Sequence, residues 1–209
     1  NHQLESNEEK LKKKTGGRKV HTTLAFVHTY PDGDRDFSFY RNPGADMMLR
    51  KEEVSLEKIC ASKIFHFGTL SFTHAGIRTA SQYAIQCAKE AGALISFDPN
   101  LREPLWENLE DARKAIEYGM ECCDILKISD NELTFMTGEK DYDKGAVLLQ
   151  QKYQIPLVCV TLGKDGSRAY YKGLTIKAEP FLQKNTIETT GAGDTFTGCM
   201  LNTVLDKRS

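Results

Sequence analysis

The run Glu188-Thr189-Thr190-Gly191-Ala192-Gly193-Asp194-Thr195-Phe196 places glycines and a carboxylate at the mouth of an expected helix. From Thr195 onward, Phe196, Cys199 and Met200 share one helical face, and no proline interrupts the pattern. Glycine lets the backbone turn so that several N–H groups converge on one spot. Those unpaired donors and the helix dipole attract an anion such as a migrating phosphoryl group. A carboxylate beside that cradle, Asp194, is placed to take the proton of an attacking hydroxyl. The chemistry implied is phosphoryl transfer. A short glycine pattern also recurs by chance as an ordinary helix start, so its surroundings must decide.

Those surroundings are a parallel-sheet protein. Apolar strands alternate with amphipathic helices: strand 63–67, helix 74–91, strand 93–97, helix 108–121, strand 124–128. Further helices are expected over 130–137 and 142–153, a buried strand over 157–161, and an antiparallel pair over 167–171 and 174–178, with the closing helix after Asp194. Upstream, 21–29 and 36–41 are β-rich runs joined by Asp32-Gly33, a hairpin signal. Residues 1–20 read as a charged tail or short helix. In such sheets ligands lie beyond the carboxyl ends of the strands. Asp98-Pro99-Asn100-Leu101-Arg102, Ser129-Asp130-Asn131-Glu132 and Leu162-Gly163-Lys164-Asp165-Gly166 all fall there.

Composition narrows the class. The 209 residues, 40% of them apolar, suffice for one packed domain, and a net charge of −1 gives no reason to expect a nucleic-acid or anionic membrane surface. The absence of a long apolar run or a signal-like amino end leads to the expectation of a cytoplasmic protein. The six cysteines form no C-x-x-C pair and read as buried free thiols rather than a zinc site or disulfide framework. The histidines read as structural, with His66 inside a strand pattern and His74 at a helix start, and Trp106 reads as a loop anchor. No G-x-x-x-x-G-K-[ST] occurs, which argues against a P-loop enzyme.

From about Thr22 onward the motifs together resemble the ribokinase-like (phosphofructokinase-B) family of carbohydrate kinases, most of all its fructokinases. Thr190-Gly191-Ala192-Gly193-Asp194 is similar to the family signature, in which the backbone amides would form the anion hole, with Gly191, Ala192 and Gly193 as site residues, the amides of Ala192 to Asp194 neutralising charge, and Asp194 as the base. Asp98-Pro99-Asn100-Leu101-Arg102 with Pro104-Leu105-Trp106 resembles the fructokinase D-P-N-x-R-x-P-L-W segment, implying that Asn100 and Arg102 face the phosphates and the reacting centre. Lys127, Ser129, Thr161, Gly163, Lys164 and Gly166 are implied on the nucleotide side. Glu132, in the family's N-x-x-E element with Ser129 in place of the asparagine, would act on Mg²⁺ indirectly through water. Phe39 and Arg41 stand at sugar-facing positions of lid strands within about 21–45, strands that in this family pair between subunits, so a homodimer is expected. The resemblance implies a ribokinase-like three-layer sandwich with a small β lid, ATP and Mg²⁺ as cofactors, and phosphorylation of a primary hydroxyl of D-fructose. A kinase for another sugar such as 2-keto-3-deoxygluconate, or a silent kinase-like binding protein, is the alternative. Glu188 replaces the aspartate usual before the signature. The family's opening strand–helix unit has no counterpart here, which suggests a truncated chain.

Overall fold

A computed structural model describes residues 20–30, 35–181 and 189–207. The charged amino-terminal run, the Asp32-Gly33 turn and Glu188 lie outside the described residues.

Two strands, β1 (Leu24–Thr29) and β2 (Arg35–Tyr40), pair antiparallel from Leu24 opposite Tyr40 to Thr29 opposite Arg35. Every residue of β1 is exposed, and Phe37 stacks with Phe39 along β2. Immediately after the hairpin, the Arg41 side chain holds it to the body of the molecule. The guanidinium donates to Asp46 Oδ2 from Nε at 2.8 Å and from Nη2 at 2.6 Å, to Thr73 Oγ1 at 2.7 Å and to the Leu70 carbonyl at 3.1 Å. Burial alone would raise the Asp46 carboxyl, but hydrogen bonds from Arg41 and Thr23 hold it below the usual carboxylate range. The stretch that follows has short 3₁₀ turns at Ala45–Met48 and Lys51–Glu53 and then α1 (Leu56–Cys60). None of these was expected, because segments this short show no helical periodicity.

The main sheet contains β3 (Ile64–Gly68), β4 (Leu94–Asp98), β5 (Ile125–Ser129), β6 (Leu157–Thr161), β7 (Ser167–Tyr171) and β8 (Leu174–Ala178), adjacent in that order. The first four run parallel, and β7 and β8 return antiparallel. Connecting them are α2 (Ala75–Glu90), α3 (Leu109–Cys122), α4 (Asp130–Thr137) and α5 (Tyr142–Tyr153), and α6 (Ala192–Asp206) closes the chain. Each start has a local cause. His74 caps the Gly76 amide, Asn108 the Asp111 amide, and Asp141 the amides of Asp143 and Lys144. Ser129 and Glu132 form a reciprocal capping box on α4, and Gly138 ends that helix in the left-handed region.

Neighbouring side chains of a strand point to opposite faces. Phe67, Ile95, Phe97, Leu126, Ile128, Val158 and Val160 turn to one face and bury against Ile85, Ile116, Met120 and Leu133 of the helices. At about 1.5–3 kcal/mol for each large apolar side chain buried, this layer is the main stabilising term and fixes the strand ends in space. The expected buried thiols are corrected in part. Cys123 and Cys159 are buried, but Cys60 and Cys199 are exposed and Cys87 and Cys122 half-buried, because these four fall on helix positions that turn wholly or partly toward solvent. Among the described residues no helix is long and apolar enough to cross a membrane.

Candidate active site

The loops that leave the carboxyl ends of β3, β4 and β5 are hydrogen-bonded to one another. Thr69, fully buried after β3, donates from its hydroxyl to the Pro99 carbonyl at 2.6 Å. Beyond Pro99, Asn100 adopts φ 44°, a left-handed conformation that asparagine tolerates better than most residues, and its amide donates to Asp98 Oδ1 at 3.1 Å. The Leu101 amide donates to Glu132 Oε1 at 2.7 Å. The other oxygen of Glu132 accepts from the Ser129 amide at 2.9 Å and the Ser129 hydroxyl at 2.8 Å. Both carboxylate oxygens of Glu132 are thus engaged within the protein and the residue is buried. That geometry fits contact with a metal through water and does not fit direct coordination. Among the described residues no group of three or more His, Cys, Asp or Glu side chains is arranged to hold a metal ion.

Beneath these loops lies an ion pair: Lys127 Nζ is 3.0 Å from Asp98 Oδ2, and both side chains are buried. Burial raises the Asp98 carboxyl above its usual range and the neighbouring Glu132 adds to this, against the lowering effect of Lys127. The start of α6 lies directly over this pair. A Cβ built on Gly193 would come within 3.2 Å of Lys127 Nζ, so the backbone at that point approaches the ammonium as closely as glycine permits. Gly191 is the helix N-cap at φ 79°. Its carbonyl accepts from the Thr195 amide at 2.8 Å, and the Ala192 amide is taken by the Thr189 carbonyl at 3.1 Å. The amides of Gly193 and Asp194 have no acceptor among the described residues. The start of α6 thus presents two open amide donors, with the Ala192 amide withdrawn into the turn and a buried ammonium beside them. Asp194 is exposed, and its carboxylate acts electrostatically on His66 of β3.

The other expected site residues are distributed unevenly around this centre. Arg102 places its guanidinium over the Phe37 ring, 4.9 Å from the centroid, and donates weakly to the Leu101 carbonyl at 3.3 Å. Phe39 lies half-buried beside Phe37 on the same strand. The guanidinium of Arg41 is given to Asp46, Thr73 and the Leu70 carbonyl, and this side chain is 8% exposed. Thr161 ends β6 opposite Ser167. Gly163 and Lys164 are exposed on the 3₁₀ turn that follows. Gly166, at φ 87°, has the Ala178 carbonyl where any Cβ would stand, so its glycine is required by the β7–β8 hairpin whatever else the loop does. Trp106 packs against the core, as its expected anchoring role requires, but its Nε1 is buried without a hydrogen-bond partner. His66 was read as a structural strand residue. It makes a hydrogen-bonding contact with Ser96 of the next strand, and its polarity between Phe65 and Phe67 is what sets it apart in the sequence.

A mostly parallel sheet, a glycine-opened helix set over its strand ends and a separate two-stranded β sheet define a ribokinase-like architecture. The chain belongs to the pfkB family of carbohydrate kinases, whose family model matches residues 14–209. It is 47% identical over 188 residues to a probable fructokinase-2 of Arabidopsis thaliana, covering 90% of this chain and 57% of that protein. Among solved structures it is similar to the ATP-bound fructokinase of Xylella fastidiosa, with TM-score 0.76 and 33% identity over 87% of this chain and 56% of the other. It is likewise similar to the fructokinase of Vibrio cholerae bound to fructose, ADP and calcium ion, with TM-score 0.74 and 30% identity over 85% and 57% of the two chains. The chain thus spans a little over half the length of the relatives it matches.

Proposed function

We propose that the protein from which this chain comes is an ATP-dependent fructokinase, transferring the γ-phosphoryl group of ATP to a primary hydroxyl of D-fructose to give fructose 6-phosphate. The observation that carries the reading is the pair of open amides at Gly193 and Asp194, held over the buried ammonium of Lys127 and directly beside the Asp194 carboxylate. Asp194 accepts the hydroxyl proton as the sugar oxygen bonds to phosphorus and the bond to the leaving ADP oxygen breaks. The two amides and the Lys127 ammonium stabilise charge on the transferring group. They do so without reorganising, because the core beneath fixes them. Arg102 supplies a second cation once it reaches the phosphates. Mg²⁺ bound with the nucleotide would lower the charge on the phosphate oxygens, and the internally bonded Glu132 would shape the loops around it rather than ligate it directly.

Asn100, Ser129, Thr161, Gly163, Lys164 and Gly166 border the nucleotide side. The β1–β2 hairpin forms the lid over the sugar, carrying Phe39 toward it, while Arg41 holds the lid's base. The exposed Leu24, Phe26, Val27 and Tyr40 of that hairpin suit it to pair with a second copy, giving a homodimer. ADP release measured with fructose, ribose and 2-keto-3-deoxygluconate tests the assignment. Turnover of fructose above the others, abolished by EDTA and restored by Mg²⁺, is the expected result. Preference for another sugar, or ATP binding without turnover of any sugar, would reject it.

A further inference from the structure

In β3, Ile64-Phe65-His66-Phe67-Gly68, the histidine interrupts an otherwise apolar strand. Phe67 turns into the core, so His66 stands on the opposite face, where it is exposed. Its cross-strand neighbour on β4 is Ser96, whose side chain is fully buried, and His66 Nδ1 lies 3.0 Å from Ser96 Oγ. That contact fixes one ring nitrogen from below and leaves Nε2 for the open side. Lys127 and Asp98, paired at 3.0 Å on the neighbouring strands, lie next to it, and the backbone of Gly193 rests on Lys127. The first turn of α6 is thus brought over the face of the sheet on which His66 stands.

We infer that His66 is a positioning residue of the phosphoryl-transfer site, anchored by Ser96 so that Nε2 faces the space in front of the Asp194 carboxylate and orients the base and the acceptor hydroxyl. The inference rests on the assignment of Asp194 as the base. The charged groups around the ring are Asp194 from α6, Lys127 from β5 and, one step further, Asp98 from β4. Partial burial disfavours the charged ring, Asp194 favours it and Lys127 opposes it, and the net effect holds the imidazole below its ordinary range. The uncharged ring is thereby favoured. In the tautomer in which Ser96 donates to Nδ1, the ring proton resides on Nε2 and is available to the carboxylate or to a sugar oxygen. Protonation at lower pH would turn that neutral donor into an imidazolium bound to Asp194 and make the carboxylate a weaker base.

The test is ring-nitrogen NMR of the protein across pH, on wild type and Asp194→Asn, with kinetics of His66→Gln. The expected midpoint for His66 lies below the ordinary imidazole value of 6.5. Asp194→Asn should move it further down, because a nearby negative charge has been removed. His66→Gln should lower kcat more than tenfold with little change in KM for ATP, and should displace the acid limb of the kcat/KM profile. A His66 midpoint indifferent to Asp194→Asn, or a His66→Gln profile that superimposes on wild type, overturns the inference. The NMR arm needs no turnover, so loss of the fructokinase reading and loss of the His66–Asp194 relationship would be seen separately.

Discussion

The guanidinium of Arg102 lies over the ring of Phe37, 4.9 Å from its centroid, joining the loop after β4 to the second strand of the hairpin. A cation over an aromatic face is worth about 0.5–1 kcal/mol at an exposed site, enough to bias where Arg102 rests but not to lock it. Hairpin position and Arg102 position are therefore coupled. Phe37→Leu should weaken MgATP binding about two- to fivefold, and in a double-mutant cycle with Arg102→Lys the two losses should be less than additive. Trp106 is the single tryptophan of the chain and lies on the same loop as Arg102, so its fluorescence reports the titration. Additive losses would show that the stacking is incidental.

Asp194→Asn should reduce kcat by at least about a hundredfold, the usual scale of a general base. The residue is exposed, and its removal opens no cavity, so Tm should stay within about 2 °C of wild type. Retained kcat would remove the base assignment.

Gly193→Ala would set a methyl group 3.2 Å from Lys127 Nζ. The ammonium cannot retreat freely because Asp98 holds it at 3.0 Å, so the first turn of α6 must lift instead. Nucleotide affinity should fall by tenfold or more while the melting transition shifts only slightly, which calorimetry and fluorescence titration together would show.

Breaking the Asp98–Lys127 pair one partner at a time has a different signature. Lys127→Met leaves a buried carboxylate without its cation and should destabilise the fold by about 3–5 kcal/mol at neutral pH, whereas Asp98→Asn combined with Lys127→Met should recover much of that loss. The folded carboxyl of Asp98 is already raised by burial, and Lys127→Met raises it further. Its ionisation therefore costs stability as pH rises through the carboxylate range, and Lys127→Met should lose less at acidic pH than at neutral pH in urea titrations.

The strands and helices were legible because each carries its own local signal. Over β6, α4 and α5 the expected bounds coincide with those observed, where apolar runs are bordered by Asp130, Asp141 and a proline. The candidate site was legible only in part. Asp194, Gly193 and Asn100 belong to contiguous motifs, so their placement at the strand ends followed from the alternation of β and α. The Asp98–Lys127 pair and the contact of His66 with Ser96 depend on strand register, and no local pattern announces which residue lies opposite which. The same holds for Arg41: the family resemblance implied a sugar-facing position, but Asp46, Thr73 and the Leu70 carbonyl that surround it come from segments later in the chain. The unsatisfied Trp106 Nε1 was equally invisible, since a tryptophan in a loop announces burial but not what its N–H will meet.

Away from the candidate site, Asp143 joins α5 to the antiparallel end of the sheet. Tyr170 Oη donates to its Oδ1 at 2.7 Å, and Arg168 and Lys177 lie 2.9 and 3.5 Å from Oδ2. The Tyr170 hydrogen bond, then Arg168 and Lys177, hold the Asp143 carboxyl below its ordinary value of 3.8, while burial opposes them. A depressed folded pKa stabilises the fold above the unfolded value, and this contribution disappears as pH falls through the folded one. Asp143→Asn should therefore lower Tm at neutral pH, and the gap from wild type should narrow steadily as the solution is acidified below about pH 4. Tyr170→Phe removes the first of these hydrogen bonds and should lose part of the same stability with the same pH dependence. A Tm difference that stays constant from neutral to acid pH would show that Asp143 acts through packing and not through its charge.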